Sequence, residues 1–393
     1  MNWVEHAIWW HVYPLGFVGA PIREPEQGIH HRLPRLTNWL DYAVELGTSG
    51  LLLNPIFASD SHGYDINNYF EIDPRLGDQT DLDAFLAECK SRGLRVLFDG
   101  VFSHASKHFD HPELFDLQPD GTPNVFEGHE NLLRLNHSNP ATVDFVVNVM
   151  THWLGRGIDG WRLDAAYSIA TDFWAQVIPR VKEQYPDAWI MGEVIHGDYN
   201  EFVEQSKVDS ITEYELWKSI WSSISNKNFF ELDWTLQRHN DFLHHFTPTI
   251  FIGNHDVTRI ASYVGTDGAA LALAILMTVG GIPTIYYGDE LGYLGVKEER
   301  PGGDDAVRPE FPEHPGERNH MYRTHQDLIG LRRRNPWLVH ATTETLALEN
   351  PHIAYRSSAD GHHIDVNINL DATPPQAHIT DETGATLWSS KMS

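Results

Sequence analysis

Short runs of apolar residues alternate with amphipathic stretches along most of this chain. The runs at Ile8–Phe17, Gly50–Pro55, Arg95–Phe102 and Gly160–Ala165 are too short for buried helices and rich in β-formers. Those at Trp189–Val194, Ser210–Glu215, Thr249–Gly253 and Pro283–Tyr287 are of the same kind, which makes eight expected strands. Between them, Leu33–Leu46 and Asp81–Arg92 repeat apolar residues at i, i+3 and i+4, the signature of a helix with one buried face. Pro140–Trp153 opens with a proline after Ser138 and Asn139, a favourable helix entry, and Tyr322–Arg334 reads as the last helix of the series. Strands alternating with helices predict a parallel α/β architecture, and eight strands suit a closed (β/α)8 TIM barrel over residues 1–335.

Two polar segments interrupt the alternation. Residues 105–137 follow the third strand as a short insertion, and residues 292–319 follow the eighth as a charged loop. Long loops at strand ends of such a barrel usually wall a cleft. Beyond residue 335 the texture changes to alternating runs such as HHIDVNINL, so residues 337–393 are expected to form a small antiparallel β-domain, sandwich-like in architecture.

Four of the strands end in chemistry-bearing residues. These are VLFDGVFSH (Val96 to His104), GWRLD (Gly160 to Asp164), MGEV (Met191 to Val194) and FIGNHD (Phe251 to Asp256). The carboxyl ends of the strands are where a barrel of this kind keeps its active site. In GWRLD, strand alternation sets Arg162 and Asp164 on one face and Trp161 and Leu163 on the other. A guanidinium beside a carboxylate favours the ionised acid, as a nucleophile requires. Glu193 follows an apolar strand, and desolvation there would suit a general acid. Each feature has a plainer explanation: an ion pair for Arg162 and Asp164, a helix cap for Glu193, an Asx turn for Asp256, a structural histidine for His104. Three acids at one barrel mouth weigh against those explanations, because paired carboxyls are the kit of a retaining glycosidase.

Composition narrows the choice further. The 393 residues carry 55 acidic and 28 basic side chains, a formal charge of −27, which repels nucleic acid. Cys89 is the only cysteine, so no intrachain disulfide is possible. The first residues lack a basic n-region with a long apolar core, and the most apolar run, Ala269–Val279, is short for a bilayer. A cytoplasmic protein without nucleic-acid or membrane partners is the expectation. The histidine pairs His30-His31, His244-His245 and His362-His363 read as surface residues, not zinc ligands.

Taken together, the four segments resemble, in order, the motifs of the α-amylase family (glycoside hydrolase family 13) in a small, intracellular-type member. The likeness extends to HGYD at His62 to Asp65 and GGDDAVR at Gly302 to Arg308. It implies that Asp164 is the nucleophile, Glu193 the general acid and base, and Asp256 a third carboxylate that steadies an oxocarbenium-like transition state. It implies that His62, Tyr64, Asp65, His104, Arg162, His255, Asp304 and Arg308 bind the sugar, with Tyr64 stacking on its apolar face and Asp99 supporting Arg162. The activity implied is retaining hydrolysis of short α-glucan oligosaccharides. Ala165, just after the expected nucleophile, leans the linkage toward α-1,4 over α-1,6. A transglycosylase using the same site is the alternative, and a catalytically inactive sugar-binding barrel is a weaker one, since all three acids are present. The family's usual calcium ligands are replaced by Ser103 and, within LLRLN, by Arg134, so neither a cofactor nor a calcium ion is expected.

Overall fold

The computed structural model describes residues 3–23 and 26–390. All eight expected strands form: β1 (Trp9–Val12), β2 (Gly50–Leu53), β3 (Arg95–Val101), β4 (Gly160–Asp164), β5 (Trp189–Gly192), β6 (Ser210–Ile211), β7 (Thr249–Phe251) and β8 (Ile282–Tyr286). They pair in parallel in the order β6-β5-β4-β3-β2-β1-β8-β7. A single parallel bridge between Thr212 and Thr249 joins the two ends and closes the barrel. Nearly every strand residue is buried, because side chains meet the barrel interior on one face and helices on the other. Glycine is required where strands crowd: a Cβ on Gly160 would lie 1.9 Å from the Trp189 carbonyl oxygen, and one on Gly50 would lie 2.4 Å from that of Arg95.

Several elements are shorter than the apolar pattern suggests. The first strand ends at Val12 because Pro14 opens a short helix, Pro14–Phe17. The sixth ends at Ile211 because Tyr214 starts the helix Tyr214–Asn226. The stretch Leu33–Leu46 forms two helices, Leu33–Thr37 and Leu40–Leu46. Other boundaries follow local chemistry. Asp78 and Asp81 build a reciprocal capping box at the start of Gln79–Ser91, and Asn139 caps Pro140–Gly155. The apolar run Ala269–Val279 belongs to a longer helix, Ile260–Thr278, broken at Gly265 (φ 72°). By length and composition this helix is apolar enough to cross a membrane, but here most of it is buried in the barrel wall.

Three pieces rise around the carboxyl ends of the strands. An antiparallel pair, Phe57–Ser59 with Ile66–Ile72, carries His62, Tyr64 and Asp65 in its turn. The insertion after β3 folds into a small three-stranded sheet of His104–Ser106, His129–Arg134 and Val125–Phe126. The loop after β8 brings Asp304 and Arg308. Past residue 341 the chain forms one five-stranded antiparallel sheet from Thr342 to Ser389, where a sandwich-like arrangement was expected. Its partner layer is helical. Asn240 on the helix Phe230–Leu243 bonds the Thr343 backbone, and Thr278 bonds the Tyr355 hydroxyl (2.7 Å).

Candidate active site

The site grows from the way strands end. At β4, Ala165 adopts a left-handed conformation (φ 43°, ψ 39°), uncommon for a residue with a Cβ and typical of functional sites. That kink turns the chain directly after Asp164 and aims the Ala165 N–H at Glu193 Oε2, 2.9 Å away. Two neighbouring strand ends are thereby locked together. Arg162 lies beneath both, fully buried. It donates from Nη1 to Asp99 Oδ2 (2.6 Å) and to Asp164 Oδ1 (3.3 Å), and its Nη2 lies 2.8 Å from Glu193 Oε1.

This sharing corrects one expectation. Arg162 was expected to hold Asp164 ionised, yet its shorter contacts go to Asp99 and Glu193. Burial, then the neighbouring Glu193 charge, push the Asp164 carboxyl well above the usual carboxylate range despite Arg162. Asp256 behaves oppositely. Burial opposes its ionisation, but His255, Arg308 and Arg162 outweigh burial and hold it well below the usual range. His255 Nε2 lies 3.0 Å from Asp256 Oδ2, and Arg308 Nη2 lies 3.0 Å from Asp256 Oδ1.

Asp164, Glu193 and Asp256 all line one open cavity of about 490 Å³. His62, Tyr64, His104, Asp304 and Arg308 line it too. Three other predicted sugar ligands, Asp65, Arg162 and His255, do not. Asp65 is buried and accepts a hydrogen bond from Ser61 Oγ (2.5 Å). His255 is fully buried beside Tyr64, its Nε2 in contact with the Tyr64 hydroxyl and the two rings nearly parallel (3°) with centroids 5.5 Å apart. His104 borders the cavity, but both its nitrogens are engaged: Nε2 with the Tyr64 carbonyl oxygen (3.0 Å) and Nδ1 with Ser103 Oγ (2.8 Å). A carbonyl only accepts, so Nε2 carries the proton and Nδ1 accepts from the hydroxyl. Burial lowers this imidazole to about 4, and it presents ring surface stacked on Phe126 at 4.3 Å. His62 Nδ1 accepts from the Tyr64 N–H (3.3 Å), leaving Nε2 as its donor. Asp99 accepts from Arg162, from the Tyr64 hydroxyl (3.0 Å) and from Asn54 Nδ2 (3.1 Å).

Sequence reasoning missed Asn54 and Tyr214. Asn54 Oδ1 contacts His11 Nε2 (3.0 Å) and its Nδ2 donates to the Tyr64 hydroxyl (2.8 Å). The signal was available, since a polar Asn ends the apolar run GLLLN. Tyr214 lines the cavity and donates to Glu193 Oε1 (2.8 Å). Arg23 and Asp305, joined at 2.5 Å, also border the cavity, from segments 282 residues apart.

The residues at the family's calcium position do not fit a hard cation, which takes 6–8 oxygen ligands. The Ser103 hydroxyl is committed to His104, and the adjacent small cavity combines one carboxylate, Glu127, with the Arg134 guanidinium. Away from the cleft, His31, Asp78 and Asp81 cluster at the surface, where the two acids already cap a helix.

Comparison with known proteins agrees with this geometry. The sequence profile of "Alpha amylase, catalytic domain" matches residues 31–116 and 125–345. The chain belongs to the alpha-amylase family. Within the family, a cyclomaltodextrinase of Geobacillus thermopakistaniensis (strain MAS1) is 28% identical over 415 residues, covering 94% of this chain and 69% of the relative. A maltogenic alpha-amylase of Bacillus acidopullulyticus is 28% identical over 440 residues, covering 98% and 74%. Among solved structures, the ligand-free cyclic alpha-maltosyl-(1→6)-maltose hydrolase of Arthrobacter globiformis shares the fold, with a TM-score of 0.82 at 22% identity. That likeness spans 99% of this chain and all of that one (100%).

Proposed function

We propose that this protein is a retaining α-glycoside hydrolase of short α-glucans, favouring α-1,4 over α-1,6 bonds and acting in the cytoplasm. Residues 1–335 are its proposed catalytic unit, and residues 337–393 an accessory β-domain. The observation that carries the reading is the convergence of Asp164, Glu193 and Asp256 on one cavity, with Arg162 beneath the first two.

The mechanism follows from the charges. Burial and the neighbouring Glu193 charge favour a proton on Asp164 in the empty site. A glycosidic oxygen resting against Glu193 gives that proton its productive place and leaves Asp164 anionic. Asp164 then attacks the anomeric carbon while Glu193 protonates the departing sugar. Asp256, held ionised by His255 and Arg308, faces the positive charge that develops on the ring. Glu193, now a carboxylate, activates water to release the product. A sugar hydroxyl in place of water would give transglycosylation, and added acceptor would reveal it as longer products.

Two variants separate the roles. Asp164→Asn should abolish turnover of every substrate, because no glycosyl-enzyme forms. Glu193→Gln should lose oligosaccharide hydrolysis yet still react once with α-glucosyl fluoride, whose leaving group needs no acid. Azide needs no base, so it should restore turnover of the fluoride and yield an α-glucosyl azide. Oligosaccharide hydrolysis by Glu193→Gln at nearly the wild-type rate would refute the assignment.

A further inference from the structure

Tyr214 opens the helix after β6 and is almost fully buried. Its ring packs edge-on against Phe251 (4.9 Å, 79°) and Trp217 (5.8 Å, 78°), so its position is fixed. Its hydroxyl makes two contacts, one with Glu193 Oε1 at 2.8 Å and one with Asn254 Nδ2 at 2.9 Å. The direction of both bonds can be deduced. The Asp256 backbone N–H donates to Asn254 Oδ1 at 2.9 Å, which fixes which end of the Asn254 amide is oxygen. The opposite end is therefore NH₂, a donor only. It donates to the Tyr214 oxygen, so the phenolic proton has one partner left, Glu193. A polarised chain thus runs from the Asp256 backbone through Asn254 and Tyr214 to Glu193.

We infer that Tyr214 is a positioning residue that orients Glu193 and stabilises its carboxylate form as the proton leaves for the departing sugar. The inference rests on the acid/base reading of Glu193 given above. Burial, then the Glu193 charge, push the phenol well above its ordinary range, so it stays a donor throughout the working pH range. The anion that Glu193 becomes has three donors around it: Tyr214, Arg162 and the Ala165 N–H. Only the Tyr214 donor can be deleted without disturbing a backbone turn or a buried ion-pair network.

The sign of the effect follows. Deleting a donor to the Glu193 anion makes its proton harder to remove, so the basic limb of the activity profile should move to higher pH. It also weakens proton delivery to poor leaving groups. Tyr214→Phe keeps the ring and its packing. Its kcat/KM on maltotriose should fall about tenfold or more, as for loss of a charge-assisted hydrogen bond, while α-glucosyl fluoride should lose little. Site-specific 3-fluorotyrosine at position 214 strengthens the donor and should move the basic limb the other way, to lower pH. Equal losses on both substrates with an unmoved basic limb would overturn the inference, as would a fluorotyrosine protein whose profile matches wild type. Glu193→Gln, measured beside them, keeps the two levels apart. If it hydrolyses maltotriose normally, the acid/base reading itself has failed. If it is selectively impaired on maltotriose and Tyr214→Phe is not, only the positioning role has failed.

Discussion

Glu290 offers a test of how burial sets charge inside the protein. It follows β8 in a short helical turn and is fully buried. Its Oε2 accepts from the Gly288 N–H (2.8 Å) and its Oε1 from the Tyr42 hydroxyl (3.0 Å). Burial pushes the carboxyl from an ordinary 4.5 up to about 7. A carboxyl raised in the folded state favours the protonated native form. The stability it contributes is therefore fully present below about pH 4.5 and lost as pH rises to about 7. That shift corresponds to about 3 kcal/mol.

The perturbation is Glu290→Gln. The amide oxygen can accept from Gly288 and the NH₂ can donate to the Tyr42 oxygen, so both contacts survive while titration does not. Relative to wild type, the variant should gain about 2–3 kcal/mol between pH 5 and pH 8, most of it before pH 7. For a chain of this size that is about 2–3 °C in Tm. Thermal melts of both proteins, in the same buffers at pH 5, 6, 7 and 8, read the difference directly. A variant-minus-wild-type difference that stays flat across this range would refute the argument. A difference that falls with pH would reverse its sign.

Two further predictions concern the cleft. Treatment with a chelator should leave both activity and Tm unchanged, because Ser103 and Arg134 stand where calcium ligands would be needed; a loss restored by calcium counts against this. Arg308→Met removes a cation that helps hold Asp256 ionised, so kcat/KM should fall about 10- to 100-fold. An unchanged kcat/KM would show that His255 and Arg162 suffice.

The barrel was legible because its strands are buried on both faces and so stand out as apolar runs between amphipathic helices. Lengths were less legible. Nothing in SITEYE separates the two residues of β6 from the helix that starts at Tyr214, since aromatic residues suit both. That also explains why Tyr214 was missed: inside an expected strand it reads as packing. The acids were legible because each ends an apolar run. Orientation was not. His104 looks like a donor to sugar until its two partners are known, and one of them, the Tyr64 carbonyl, lies 40 residues away. His255 and Arg162 share motifs with residues that reach the cavity, yet both are packed behind it.

The same geometry explains why Asp164 resists ionisation in the unliganded site. Three carboxyls, those of Asp99, Asp164 and Glu193, surround one guanidinium group, Arg162. The nearby imidazole of His104 is neutral at working pH. With every acid ionised, the cluster would hold two excess negative charges in a buried setting, which is costly. A proton favoured on Asp164 halves that excess. The charge that remains is unmatched in the resting site. In the proposed reaction, a full proton passes to the leaving group as positive charge spreads over the sugar ring, and the remaining negative charge then finds its partner. The resting site is thus poorly matched to its own charges and well matched to the transition state, which is the condition for accelerating the chemical step. On this argument Arg162 matters less as a partner for Asp164 than as the fixed cation that keeps the imbalance to a single proton.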